Sequence, residues 1–145
     1  MKITLRSLPD ADLGYEGTND RGQTARFSGS KADVSPMEHV LMAAAACSSI
    51  DVELFLRKMR APAEAVEVDV EGHRVDAVPA VFDRMHLHYR IYGDVKPAKA
   101  AKAVALSMDQ YCSVSIMLRA SVAITHSHEV VSRASPTPPP PAPAP

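Results

Sequence analysis

Residues 35–52 read Ser-Pro-Met-Glu-His-Val-Leu-Met-Ala-Ala-Ala-Ala-Cys-Ser-Ser-Ile-Asp-Val, and the helix they predict is the centre of the fold. Ser35 suits an N-cap, and Pro36 suits the first helical position, where its missing N–H costs nothing. Glu38 completes a Ser-x-x-Glu capping box, in which each side chain accepts a hydrogen bond from the other residue's backbone. The apolar run that follows predicts a helix that lasts to about Arg60.

One face of this predicted helix is apolar. Its residues recur at intervals of three or four, the spacing at which side chains share a helical face. We therefore expect Cys47 to point into the core with the other members of the face, which are Met37, Leu41, Ala44, Ser48, Val52, Phe55 and Met59.

Strands are predicted on both sides of the helix. Short extended segments at 3–5, 13–16 and 23–27 are separated by turn-forming residues and indicate a strand meander. After the helix, strict alternation of apolar and polar residues indicates two antiparallel strands, each wet on one face. The later predicted elements are strands at 66–70 and 85–91, helices at 97–111 and 113–120, and a closing strand at 122–126. Strands grouped around a few helices indicate an α+β domain.

Length and charge narrow the possible functions. The chain has 145 residues, 16 of them basic and 17 acidic, which fits one domain, predicted at 1–131. The mixed charges give no reason to expect nucleic acid or a membrane as a partner. Residues 1–10 have no signal-peptide run, so we expect a cytoplasmic protein. Residues 132–145 are rich in proline and alanine and are predicted to be a disordered tail.

Residues around both cysteines are similar to those of a known family. Residues 35–52, then Tyr-Cys-Ser-Val-Ser at 111–115 and Ile-Thr-His-Ser at 124–127, resemble the OsmC/Ohr family, most of all its YhfA-type branch. The resemblance extends over about residues 10–131. It implies an OsmC-like fold with antiparallel sheets around long central helices, in an intertwined homodimer without a cofactor or metal.

The resemblance also implies a reaction. Members of the family reduce organic hydroperoxides with thiols, so Cys47 would attack the peroxide and Cys112 would resolve the product. Better-studied members add an arginine from the early strands, here Arg21 or Arg26, and a glutamate near the start of the helix. The usual glutamate position holds Met37 here, which leaves Glu38, one residue further along, as the candidate.

The chemistry of a thiol adds its own requirements. Peroxide is cleaved by a thiolate, and apolar surroundings such as the alanines before Cys47 disfavour that anion. Asp51, one turn later, would oppose ionisation if it faced the thiol, so a cation must come from the N-terminal strands or a second subunit. Cys112 lies at the predicted start of a helix, whose amide dipoles favour a thiolate. A sulfenic acid on Cys47 would then condense with Cys112, and an external dithiol would reset the disulfide.

Other functions are less well supported by the sequence. A stress-response protein of the same fold, with little turnover, could bind a small apolar ligand at the dimer interface. The spaced pairs His86/His88 and His126/His128 make a zinc site conceivable, but no acidic or cysteine ligand with metal-site spacing accompanies them and a wet strand face explains both. The sequence argues against a serine hydrolase, because Ser113 and Ser115 have no Gly-x-Ser-x-Gly elbow around them.

Overall fold

The computed structural model describes residues 1–132, and the predicted disordered tail falls almost wholly outside them. The strands are β1 (Ile3–Ser7), β2 (Gly14–Asn19), β3 (Thr24–Ser28), β4 (Ala65–Arg74), β5 (Phe82–Tyr92) and β6 (Ala123–Val131). The helices are α1 (Pro36–Lys58), α2 (Pro97–Leu106) and α3 (Ser113–Leu118), with a π-helical turn at Ser107–Tyr111. The mixed α+β class is as predicted.

The chain divides into two compact units at Ala43/Ala44. Helix α1 begins in the first unit and ends in the second, so the boundary falls inside a continuous element. The predicted single domain therefore stays a prediction.

The first unit contains the predicted meander. Strands β1, β2 and β3 pair in that order, each antiparallel to the next. The β2–β3 turn is held by Asn19, whose side-chain oxygen accepts hydrogen bonds from the backbone N–H groups of Arg21 and Gln23 at 2.9 and 3.0 Å. Gly22 in this turn has φ +79°, a conformation that glycine adopts without steric cost.

The capping box of α1 is confirmed. Ser35 Oγ accepts from the Glu38 backbone N–H at 3.2 Å, and Glu38 Oε2 accepts from the Ser35 backbone N–H at 2.8 Å. Pro36 is the first helical residue, as predicted. Local sequence thus fixes the start of α1, and Arg57 and Lys58 in its last turn complement the helix dipole.

The second unit contains a three-stranded sheet in the order β4-β5-β6. Strand β4 is antiparallel to β5, as predicted, whereas β6 is parallel to β5. Alternation on β5 buries Met85, Leu87, Tyr89 and Ile91, which form the core with residues of α1 and α2. Those helical residues are Val52, Leu56, Ala100, Ala103 and Val104.

We expect Ile91→Ala to lower the free energy of unfolding by about 2–5 kcal/mol, because the cavity adds to the lost burial. Ile91 is fully buried in the core. Ile116→Ala is the matched control, since that side chain is 44% exposed on α3 and should lose less than half as much. Urea denaturation of both variants measures the difference, and equal losses would contradict this description of the core.

Two predicted boundaries differ most from the structure. The helix predicted at 97–111 ends at Leu106 and widens into the π-helical turn, because the Cys112 N–H donates to Ser107 O, five residues back, at 2.8 Å. The closing strand runs to Val131 rather than residue 126, because it pairs with β5 along its full length.

Helix α1 is long and apolar enough, by length and composition alone, to cross a membrane. The core helix of a water-soluble protein meets the same test. In the single chain 22% of its apolar window is buried, and Val52 and Leu56 pack in the core around β5. The apolar residues on its other side, Met42, Ile50 and Leu54, are exposed in the single chain.

Candidate active site

The second unit brings Cys47 and Cys112 together. Their Sγ atoms and a carboxylate oxygen of Asp51 all lie within 4.8 Å of one another. Both cysteines are free thiols; Cys112 is fully buried, and Cys47 is partly exposed. Two thiols at this separation need only a small movement to form a disulfide, whose S–S length is about 2.05 Å.

Cys47 is positioned by the neighbouring residue on α1. The Ser48 hydroxyl donates to Ala44 O at 2.8 Å and accepts from the Tyr89 hydroxyl at 2.7 Å. Tyr89 extends from β5, and burial raises the pKa of its phenol to about 12. This buried hydrogen bond fixes the rotation of α1 against the sheet and therefore the direction in which Cys47 points.

Cys112 is positioned by the π-helical turn. The turn ends at Cys112 in an extended conformation, so this residue becomes the N-cap of α3 and its Sγ accepts from the Ser115 N–H at 3.4 Å. Ser107 ties the same turn to α1, because its hydroxyl donates to Ser48 O at 3.0 Å. A π-helical turn commonly marks a functional site, and here it aims the second thiol at the first.

The environment of Cys112 keeps it protonated. Burial raises the pKa of its thiol, the hydrogen bonds from Ser115 lower it, and the nearby Cys47 raises it again. The net shift is upward. At the start of α3 the Ser115 N–H donates to the Cys112 sulfur. Because burial raises the pKa of the thiol by more than this hydrogen bond lowers it, the expected preference for a thiolate is not realised.

Asp51 faces the thiols, as the sequence allowed. Its Oδ2 lies 3.5 Å from Ser107 Oγ. Within residues 1–132 of one chain it forms no ion pair. A thiolate formed on either cysteine would therefore lie beside a carboxylate, and the mechanism needs a cation from outside this cluster.

The two candidate arginines lie in the first unit. Arg21 Nε donates to the neutral Gln23 side chain at 3.1 Å, whereas Arg26 lies 3.6 Å from the Glu16 carboxylate. Among the described residues, Arg21 has no acidic partner. Its charge is therefore available, while that of Arg26 is partly neutralised.

Glu38 serves as the cap of α1. Its carboxylate also accepts from the Ser35 hydroxyl at 2.6 Å, and these hydrogen bonds lower its pKa. Within the part of the chain that the structure describes, Glu38 forms no ion pair with either candidate arginine. These contacts give Glu38 a structural role at the start of α1.

Comparison with known proteins decides the family. The model of the family described as OsmC-like protein matches residues 28–127, more than half of the chain. The chain belongs to the OsmC family. Protein YhfA of Escherichia coli K12 is 48% identical to it over 123 residues, which cover 83% of this chain and 92% of that protein.

Solved structures share the fold of this OsmC-like protein. A hypothetical protein from Aquifex aeolicus VF5 superposes with a TM-score of 0.83 at 24% identity, covering 92% of this chain and 97% of that one. The organic hydroperoxide resistance protein OhrB of Bacillus subtilis gives 0.62 at 17% identity, covering 88% and 96%. At these identities the likeness shows the fold alone.

The histidine pairs of this OsmC-like protein lie on opposite faces of the second sheet. In the β5–β6 register, His86 and His88 are opposite Thr125 and Ser127, and their Nδ1 atoms lie 2.8 Å from those hydroxyl oxygens. His126 and His128 share the other face. The pairs therefore cannot form one site with each other, and neither belongs to the set of clustered metal-ligand atoms found in residues 1–132.

Sequence reasoning missed part of the site. Nothing in the sequence indicates Ser107 or the π-helical turn as part of the site, since the residues before Cys112 continue a helical pattern. The position of Asp51 near Cys47 was partly predictable, because a spacing of four residues places both on one helical face. Tyr89 was predicted only as an apolar strand residue.

Proposed function

We propose that this OsmC-like protein reduces organic hydroperoxides with two cysteines. The observation that supports the proposal is the meeting of Cys47 and Cys112, whose sulfurs lie within 4.8 Å although they belong to different elements. The resemblance to the family supplies the substrate class. The name of OhrB, which concerns that protein, agrees with this class.

The proposed reaction has three balanced steps. The Cys47 thiolate attacks the terminal peroxide oxygen, the O–O bond breaks, and the alkoxide takes a proton to leave as an alcohol. Cys112 then attacks the sulfenic acid of Cys47, which forms the disulfide and releases water. An external dithiol, oxidised to its own disulfide, returns both thiols. No cofactor is needed.

Exposure supports the order of the two cysteines. Cys47 is partly exposed, so a peroxide can reach its sulfur. Cys112 is fully buried, and the raised pKa of its thiol keeps it from competing for the substrate. The buried thiol is thus suited to react only with the sulfenic acid beside it.

We assign activation of Cys47 to Arg21, with Glu38 as a carboxylate that could orient the guanidinium in the assembled protein. The assignment rests on the family resemblance and on the need for a cation beside Asp51. It prefers Arg21 to Arg26 because Arg26 is paired with Glu16. We place the reaction in the cytoplasm, where dithiol reductants are available.

We also propose a homodimer, which the exposed apolar surface supports. On α1, Met42, Ile50 and Leu54 are 52%, 61% and 45% exposed in the single chain. Several large apolar side chains exposed on one helix commonly mark an interface. A second copy of the chain is the partner that the family resemblance implies.

We expect analytical ultracentrifugation to show a particle of twice the 15.6 kDa chain mass. Ile50→Glu should raise the dissociation constant roughly tenfold or more, because it buries a charge in the interface. Lys102→Glu, a charge change at an exposed position of α2, is the control and should leave the mass unchanged. A monomeric wild type at micromolar concentration would contradict the dimer.

The proposed activity is tested by stopped-flow kinetics of the reduced protein with cumene hydroperoxide and with hydrogen peroxide. We expect the organic peroxide to react faster than hydrogen peroxide by about tenfold or more. Rates no higher than those of a free thiol for both substrates would remove the peroxidase proposal.

One observation favours a second candidate function. The family's usual glutamate position holds Met37 here, and the Asp51 carboxylate lies beside both sulfurs, a combination that suits a protein with little turnover. Such a protein would bind a small apolar ligand at the dimer interface. A lack of peroxide reactivity together with saturable binding of an apolar fluorescent probe would favour this alternative.

A further inference from the structure

The three clustered groups of the site are donors that a soft metal ion prefers. Cys47 and Asp51 lie one turn apart on α1, and Cys112 comes from the junction between the π-helical turn and α3. Their sulfur and oxygen atoms lie within 4.8 Å of one another. Zn–S bonds of about 2.3 Å and Zn–O bonds of about 2.0–2.2 Å would place tetrahedral ligands less than 4 Å apart. The donor set therefore needs only a small contraction to enclose the ion.

The charge of the site also favours a cation. The Asp51 carboxylate is a negative ligand beside both sulfurs in a partly buried cluster, and within residues 1–132 of one chain no basic side chain pairs with it. Ser107 Oγ lies 3.5 Å from Asp51 Oδ2, so a neutral polar group adjoins the carboxylate. Thiolates select zinc-class ions over magnesium and calcium, which prefer oxygen.

We propose that the reduced protein binds one zinc-class divalent cation through Cys47 Sγ, Cys112 Sγ and an Asp51 carboxylate oxygen. The bound cation blocks both thiols from peroxide, and formation of the Cys47–Cys112 disulfide removes two ligands and releases it. Binding transfers the two thiol protons to buffer, and no electrons move. Metal binding is independent of the proposed peroxidase activity, whereas the blocking effect rests on it.

The test begins with the reduced, metal-free, full-length protein. Zn²⁺ is titrated in competition with a chromogenic chelator, and Cd²⁺ is added separately to record the ultraviolet charge-transfer band of cadmium–thiolate bonds. We expect one equivalent of either ion and no competition from Mg²⁺. The protein oxidised to the disulfide should lose the cadmium band.

Variants separate this site from adventitious binding. Asp51→Asn should weaken zinc at least about tenfold, whereas Asp109→Asn, at an exposed carboxylate of the π-helical turn, should leave the affinity unchanged. Cys47→Ser and Cys112→Ser should each reduce the cadmium band. Circular dichroism confirms that each variant is folded before its affinity is compared.

Two results would overturn the proposal: no stoichiometric zinc or cadmium binding by the reduced wild type, or equal binding by Asp51→Asn and both serine variants. Peroxide consumption is measured in parallel without metal. Zinc binding without peroxide consumption would remove the proposed function and keep the zinc site, and peroxide consumption without zinc binding would do the reverse. With both present, zinc should slow peroxide consumption and a chelator should restore it.

Discussion

Cys47→Ser is expected to lower kcat/KM for cumene hydroperoxide by at least about a hundredfold, because a serine hydroxyl is not ionised near neutral pH and is a poor nucleophile toward peroxide. The partly exposed position of Cys47 makes this substitution a mild one for the fold. Peroxide consumption with a dithiol reductant, followed by a colorimetric peroxide assay, measures the effect.

Cys112→Ser serves as the comparison. It retains the first nucleophile, so the reduced variant should consume one equivalent of peroxide and accumulate a sulfenic acid on Cys47 that dimedone traps. If Cys47→Ser retained wild-type activity while Cys112→Ser lost it, the roles of the two thiols would be reversed. Such a result would contradict the order inferred from their exposure.

Arg21→Met is expected to lower kcat/KM at least about tenfold, because it removes the cation proposed to stabilise the thiolate and the developing alkoxide. Arg26→Met is the matched control on the neighbouring strand, where the guanidinium already faces Glu16. The same peroxide assay compares the two variants, and iodoacetamide alkylation of Cys47 gives a second measure of thiolate availability.

The two arginine variants distinguish the two candidate activators. A slow Arg21→Met beside a normal Arg26→Met supports the proposal. The reverse result would assign activation to Arg26, and two normal variants would remove both arginines from the mechanism.

Local sequence rules predicted the elements whose structure depends on residues close together in the chain. The capping box at Ser35 and Glu38 depends on residues three positions apart, so the start of α1 could be read directly. The alternation around Leu87 and Tyr89 likewise identified β5 and its buried face. The family resemblance predicted that Cys47 and Cys112 share one site. Their spacing along the chain alone does not predict this.

The sequence could not predict features that depend on long-range packing. The π-helical turn before Cys112 interrupts a segment whose local pattern is helical, and the Ser107 hydroxyl anchors it to Ser48 on a distant helix. The pKa of the Cys112 thiol is raised because its burial outweighs the hydrogen bonds from Ser115, and this burial depends on the tertiary structure. The parallel pairing of β6 with β5 also requires knowledge of the chain path.

The orientation of Asp51 has the greatest consequence for function. Helical spacing allowed it to face either Cys47 or solvent, and the structure places it beside both sulfurs. Because the carboxylate places a negative charge beside both sulfurs, a peroxidase mechanism at this site needs a cation. The same need for a cation underlies the zinc site proposed for Cys47, Asp51 and Cys112.

The most direct test of the two-cysteine mechanism is mass spectrometry of the reduced wild type after one equivalent of cumene hydroperoxide. The mechanism predicts loss of two hydrogen atoms from the intact chain and a proteolytic fragment that links Cys47 to Cys112. A protein that gains one oxygen atom and forms no link between the two cysteines, or remains unchanged, would contradict the mechanism.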